Sequence, residues 1–232
     1  MNKIAIRSLR AFGLLTGMSS AQRIRRPESS WDDVITFAFQ FAHGFLRPLQ
    51  VRSEIGSALP EIESLKPRVV LEIGTAGGGT FFMLSRSAHP EAHLISVDLP
   101  SGRWGGGYGA WRVPIFRRLI LKGQHADFVR ADSHAASTVE KVKRLLGDGQ
   151  IDVLFIDGDH SYEGCKHDFE SYSALVRPGG MVLFHDIAKH PPKDDCHVDR
   201  VWAELRQKYE SREFIADPTQ GWAGIGLLRL PS

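Results

Sequence analysis

The chain predicts a doubly wound α/β domain, a mostly parallel sheet with helices on both faces. Three observations carry this. From residue 68 onward, short β-branched apolar runs alternate with segments of helical period. The runs are apolar almost throughout, as strands covered on both faces are. Glycines, acids and histidines gather just after the runs end, where an open α/β sheet binds its ligands.

Each element has its own signal. A helix is predicted over 31–47, with Ser30 as N-cap and Asp32 and Asp33 in the first turn, where the helix dipole favours acids; Gly44 and Pro48 end it. A second short helix is expected over 51–65. RVVLEI (68–73), set between Pro67 and Gly74, is the first strand, and a glycine-rich turn leads into a helix at 78–87. HLISVD (93–98) and ADFVRAD (126–132) are the second and third strands. Ala135, Val139, Val142 and Leu146 recur at helical spacing over 134–146. IDVLFID (151–157) is strand four, and a helix over 162–176 is expected to stop at Pro178-Gly179-Gly180. MVLFHD (181–186) is strand five, followed by a helix over 198–209. REFIAD (212–217) and WAGIGLLRL (222–230) close the chain. Residues 218–221 between them give hairpin spacing, so at least one terminal strand should run antiparallel.

A length of 232 residues suits one α/β domain. Lys and Arg total 29 against 27 Asp and Glu, a net charge of +2 that argues against a nucleic-acid partner. Lys3, Arg7, Arg10, Arg23, Arg25 and Arg26 crowd the first 27 residues, which hold no acid. Residues 1–30 are therefore expected to be a solvated basic extension and 31–232 a single domain. The alternatives for the extension are an arm that meets a partner and a targeting segment, though it lacks the apolar core of a secretory signal. The arm and first helix could also pack against a second copy in a homo-oligomer. No apolar run approaches the ~20 residues of a membrane span. Cys165 and Cys196 form no CxxC, which reads as reduced thiols in a cytoplasmic protein.

Three strand ends suggest a nucleoside site. In LEIGTAGGGT (71–80) glycines let the backbone turn sharply and approach a ligand. Glu72, just ahead of the loop, is poor company for a pyrophosphate and suits a cationic amino-acid ligand. Ala76 stands where the second glycine of GxGxxG would fall, so the spacing departs from the dinucleotide pattern. Asp98, ending strand two, can accept both hydroxyl protons of a ribose. Asp132, in Ala131-Asp132-Ser133, can accept from an adenine amino group or cap the next helix.

LEIGTAGGGT, VDLP, RADSH, FIDGDHSYEG and RPGGMVLFHD, in that order over about residues 48–230, resemble the Rossmann-like class I methyltransferases that use S-adenosylmethionine. The resemblance is closer to the small-molecule and sugar O-methyltransferase group, which includes cephalosporin-hydroxylase-like proteins and macrolide-sugar methyltransferases. It implies a seven-stranded, mostly parallel sheet with an antiparallel last strand. It implies cofactor contacts from Glu72, Gly74, Thr75, Gly77, Asp98, Asp132, Ser133 and Asp157, and a hydroxyl on a small polar acceptor, a sugar or natural product, as the methylated group. Gln50 and Glu54 fall where relatives carry residues that line the cofactor pocket.

Strand four ends in Asp157-Gly158-Asp159-His160 and strand five in His185-Asp186. Charges grouped at adjacent strand ends need partners. One reading is Mg²⁺ held by Asp157 and Asp186, with His185 or Asp159 completing the set and the ion lowering the pKa of an acceptor hydroxyl. Relatives place metal ligands at the equivalents of Asp157 and of a strand-five acid pair. Here that pair is His185-Asp186, and histidine is a poorer Mg²⁺ ligand. The metal-free reading makes His160 or His185 a general base oriented by Asp157 or Asp186. A third possibility is that Asp159 and His160 only help Ser161 cap the following helix.

The loop over 99–114, with Trp104, Tyr108 and Trp111, is expected either to close over the site as a mobile aromatic lid or to be an ordinary surface loop with two tryptophans anchored in the core, and 187–197 should line the site. His190, Cys196 and His197 match no common zinc spacing. Trp222 reads as core. Two rival functions are an NAD-linked oxidoreductase and a non-catalytic nucleoside-binding module. The glycine spacing opposes the first, and the set Asp157, His160, His185 and Asp186 opposes the second.

Overall fold

Successive residues of a strand face opposite ways. In the computed structural model, which describes residues 18–104 and 106–232, the two faces of the sheet bury two separate cores. The strands are β1 (Val69–Ile73), β2 (His93–Asp98), β3 (His125–Arg130), β4 (Ile151–Ile156), β5 (Val176–His185), β6 (Glu210–Phe214) and β7 (Ile225–Arg229). They form one sheet in the order β3-β2-β1-β4-β5-β7-β6. The first five run parallel, and β7 is antiparallel to both β5 and β6. The seven-stranded sheet and its antiparallel last strand are as expected.

On one face Val70, Leu94, Phe155 and Leu183 meet α1 (Trp31–Gly44), α2 (Arg52–Leu65), α3 (Gly79–Ser87) and α4 (Val113–Leu119). On the other, Leu71, Ile95, Leu154 and Val182 meet α5 (Ala136–Leu146), α6 (Tyr162–Ser173) and α7 (Val198–Leu205). Ser30 caps α1 in a capping box: its hydroxyl accepts from Asp33 N at 3.1 Å, and the Asp33 carboxylate accepts from Ser30 N at 2.9 Å.

Three expectations change. The helix expected to run to 176 stops at Ser173, and Pro178-Gly179-Gly180 lies inside β5. The tripeptide fits there because the β4–β5 register shifts between the Ile151–Val176 and Val153–Met181 pairs, so it occupies a bulge where no ladder hydrogen bond is lost to proline. The stretch after 110 is helical rather than loop, with Pro114 in the first turn of α4, where its missing N–H costs nothing. The link between the last two strands spans 215–224, longer than the 218–221 expected.

Residues 18–30 of the basic stretch lie against the domain. Ala21 is fully buried. Arg86 of α3, itself buried, donates to the carbonyls of Ala21, Ile24 and Leu119 at 2.7–2.8 Å. Burial lowers its pKa to about 9, so it stays charged at neutral pH. Arg26 makes a bidentate pair with Glu63 at 2.9 and 3.0 Å. Lys3, Arg7 and Arg10 lie outside the described residues. Among those described, no helix is long and apolar enough to cross a membrane.

Candidate active site

Parallel strands deliver their carboxyl ends to one rim, and two cavities open there. The smaller, about 280 Å³, is walled by Gly74, Asp98, Asp132, Ser133 and His134. The larger, about 510 Å³, is walled by Thr75, Gly77, His160, His185, Asp186 and Trp222, among others. Gly74, Ala76, Trp104 and Asp157 belong to both walls.

Gly74 has φ +90° and lies so close to the Asp157 carbonyl that any side-chain carbon would collide with it. Asp98 accepts from Ala76 N at 2.6 Å, which ties the end of β2 to the glycine loop. Burial raises the Asp98 pKa, partly opposed by backbone N–H donors of Ala76 and Thr75. Asp132 is half exposed and accepts from His134 N at 2.9 Å; the N-cap of α5 is Ala135, so Asp132 is not its cap. Ser133 faces the smaller cavity while its carbonyl accepts from Tyr172 at 2.9 Å.

Glu72 lies beneath the loop, on the wall of neither cavity. It is 1% exposed, and neither carboxylate oxygen has a hydrogen-bond partner. Burial drives its pKa well above the carboxylate range, against the nearby Thr75 hydroxyl and reinforced by the charges of Asp157 and Asp98. Thr75 turns its hydroxyl to Ser96 at 2.7 Å.

The ends of β4 and β5 build a cluster of two carboxylates and three imidazoles. Asp157 Oδ1 lies 3.1 Å from His185 Nδ1 and 3.5 Å from His160 Nε2, and its Oδ2 accepts from Gln50 at 3.0 Å. Asp186 Oδ2 lies 3.0 Å from His160 Nδ1 and 3.3 Å from His185 Nδ1. Its Oδ1 accepts from Ala223 N at 3.0 Å and is 3.1 Å from His190 Nε2. Asp186 holds a left-handed backbone with φ +63°, strain of a kind that clusters at functional sites. Burial lowers the His160 pKa, but Asp157, Cys196 and Asp186 outweigh it and hold the imidazolium up to about 10. His185 is likewise held well above the usual range, against the pull of burial, by the charges of Asp157 and Asp186.

Arg103 and Trp104, after β2, reach this cluster. Trp104 stacks on His160 with centroids 5.0 Å apart and planes within 10°. Arg103 lies 4.7 Å over Trp104 and pairs with Asp195 at 2.7 Å, so the loop after β2 is tied to the loop after β5. The other two aromatics do not form a lid. Tyr108 is buried and bonds Ser96 at 3.0 Å, and Trp111 packs its edge on Phe45 outside both cavities.

Asp159 accepts from Ser161 N, and Ser161 caps α6, so the capping reading holds for Asp159 but not for His160. Cys196 groups with His160 and Asp186, not with His190 and His197. Trp222, expected as core, is 45% exposed and lines the larger cavity, because the link that carries it enters β7 beside the carboxyl end of β5, at the rim. Glu54 faces neither cavity. It accepts from Ala216 N, Gln220 Nε2 and Gly224 N at 2.7–2.9 Å and so pins that link. Gln50, expected with Glu54 to line the cofactor pocket, is on the wall of neither cavity and instead donates to Asp157; the place of His190 has one local signal, its standing four residues after Asp186.

Residues 71–187 match a family described as a methyltransferase domain. The uncharacterized protein y4gI of Sinorhizobium fredii is 29% identical over 72% of this chain and 18% of its own length. The uncharacterized protein R132 of Acanthamoeba polyphaga mimivirus is 36% identical over 62% of this chain and 64% of its own. The chain thus spans about a fifth of one relative and just under two thirds of the other. Among solved structures, the O-methyltransferase TomG from Streptomyces achromogenes, in complex with SAM, superposes with a TM-score of 0.57 at 20% identity, covering 87% of this chain and 91% of that one. An O-methyltransferase from Bacillus cereus in complex with SAH gives 0.55 at 15%, covering 94% and 99%. At these identities the structural likeness speaks for the fold.

Proposed function

Because the chain belongs to the methyltransferase-domain family, we propose that it is an S-adenosylmethionine-dependent O-methyltransferase acting on a hydroxyl of a small polar acceptor. The observation that carries this reading is the pair of cavities joined at Gly74, Ala76, Trp104 and Asp157, one with nucleoside-reading acids and the other with a histidine–carboxylate cluster. The SAM and SAH held by the two structural neighbours support the same assignment. When bound, the cofactor supplies a methyl group on a sulfonium.

Asp98 is placed to accept from a ribose diol, and Asp132 and Ser133 to border the base. Thr75 and Gly77, on the far side of the junction, border the amino-acid end. The buried, unpartnered Glu72 leaves a latent negative charge beneath that end, which fits a cationic ligand better than a pyrophosphate. His160 is the proton acceptor in this reading. A positive charge at the junction disfavours its imidazolium, the change needed to make it a base. His185, between Asp157 and Asp186, holds the two acids in place, and Trp104 fixes the plane of His160. Displacement at a methyl carbon needs chiefly orientation, and these contacts supply it.

The donor set does not fit Mg²⁺. Its two carboxylates already accept N–H donors from Gln50, Ala223 and the imidazoles, and the third position is a nitrogen. A second reading rests on the same atoms: with the Nδ1 proton lost, His185 Nδ1 joins Asp157 Oδ1 and Asp186 Oδ2 in a compact face that would suit a divalent transition ion, which would polarise the acceptor oxygen.

The test is calorimetric titration with S-adenosylhomocysteine and with NAD, on wild type and Asp98→Asn, with the metal content of the protein measured alongside. The expectation is S-adenosylhomocysteine binding only, weakened about tenfold or more by Asp98→Asn, as loss of a charge-assisted bond predicts. NAD binding alone, or neither, would sink the reading. One bound transition ion per chain, lost in Asp157→Asn, would favour the second reading.

A further inference from the structure

Resting on the methyl-transfer reading, we propose that the acceptor is a flat hydroxylated ring bearing an oxyanion, seated on Trp222 with its anion on Arg47.

Charge comes first. Within the larger cavity, Asp157 and Asp186 are matched by the imidazoles packed on them. Arg47 lies on the same wall but outside that array. Its guanidinium, exposed to solvent, has no hydrogen bond or ion pair among the described residues, and it is the one Lys or Arg side chain on this wall. A cationic cofactor next door adds positive charge, so Arg47 is an uncompensated cation beside the acceptor. A planar guanidinium recognises carboxylate or phosphate through two parallel hydrogen bonds.

Shape comes second. Leu49 and Trp222, 65% and 45% exposed, are two of four large hydrophobic side chains left open among the described residues, and both line this cavity. Open apolar side chains gathered at a cavity beside convergent polar groups mark a ligand face. An indole offers its face to a ring.

Rigidity comes third. The backbone of Arg47 is pressed on the glycine loop, since a carbon added at Gly77 would come within 3.3 Å of the Leu46 and Arg47 carbonyls. The link that carries Trp222 is pinned by Glu54 on both sides and by Asp186 at Ala223. The backbone that carries each of the two side chains is therefore held against the site, which keeps both within reach of the cavity that His160 lines.

The experiment titrates S-adenosylhomocysteine-saturated protein with 3,4-dihydroxybenzoate and with 3,4-dihydroxybenzamide, which differ in the anion. Wild type should bind the benzoate about tenfold tighter, the size of one charge-assisted contact. Arg47→Met should bring the two within about twofold, and Trp222→Ala should weaken both by a similar factor of about ten. S-adenosylhomocysteine affinity, read first for each variant, shows that it is folded. Equal binding of the two probes, no binding of either, or a preference that survives Arg47→Met would overturn the proposal. A wild type that fails to bind S-adenosylhomocysteine would instead remove the reading on which it rests.

Discussion

At the scale of single residues, His134 shows how a half-buried imidazole on the cofactor wall can be tied to a buried acid. His134 lines the smaller cavity, and its Nε2 stands 3.5 Å from Asp168 Oδ1, an ion pair longer than a well-made hydrogen bond. Asp168 is fully buried and has no hydrogen-bond partner. Pairing with Asp168, against the cost of burial and aided by the charges of Asp132 and Asp159, lifts the His134 pKa from 6.5 to about 9. His167 packs against the ring at 4.8 Å and is a further titratable neighbour. A folded pKa above the unfolded one stabilises the charged form, so the contribution is complete below about pH 6.5 and is lost as pH rises through about 9. Asp168→Asn should move the His134 midpoint down toward 6.5, read from its imidazole proton shifts by NMR. An unmoved midpoint would mean that Asp168 does not hold the charge.

At the scale of elements, legibility follows sequence distance. The strands could be read because strands covered on both faces are apolar nearly throughout, as in VVLEI and IDVLFI, where one acid each breaks the run. The helices at Ser30 and Ser161 could be read from their caps. The glycine loop and the acids at the strand ends were legible because topology alone brings them to one rim. Misreadings arose where a local signal has two meanings: Pro178-Gly179-Gly180 serves equally as a helix stop and as a bulge, and Pro114 as a loop residue and as a first helical turn. What no local pattern contains is a contact across the chain. Gln50 reaches Asp157 across 107 positions, and Glu54 reaches Ala216 and Gly224 across 162 and 170. The Glu54 contact should contribute strongly to the stability of the 215–224 link, because a buried side chain whose two oxygens accept three N–H groups leaves those on one oxygen unmet when that oxygen becomes an amide nitrogen. In Glu54→Gln, which keeps one acceptor oxygen, hydrogen exchange at the Ala216 or the Gly224 amide should accelerate about tenfold or more while the β1 and β4 amides keep their rates. Unchanged exchange at both amides would show that the link is held by other contacts.

At the scale of the whole molecule, the two cores are the two faces of a single sheet, so neither can be lost alone. Val70 and Leu71 are neighbours in β1, yet one belongs to the core under α1–α4 and the other to the core under α5–α7. Arg86 and Arg26 join residues 21–26 to the first of these cores. The described chain should therefore unfold in one cooperative transition, with no separate step for the stretch before α1. The ligand cavities lie on the rim where five strands end, and a ligand bound there meets the folded sheet only. Ligand that binds the native state alone stabilises by about 2.7 kcal/mol at a hundredfold excess over Kd, and about 1 kcal/mol moves Tm by roughly 2–4 °C in a chain of this size. S-adenosylhomocysteine at that excess should thus raise Tm by about 5–10 °C in scanning calorimetry and keep a single transition. A second transition would separate one core from the other. A shift well below this range at saturating ligand would mean that the cofactor reaches the unfolded chain, or a locally open rim, nearly as well as the closed sheet.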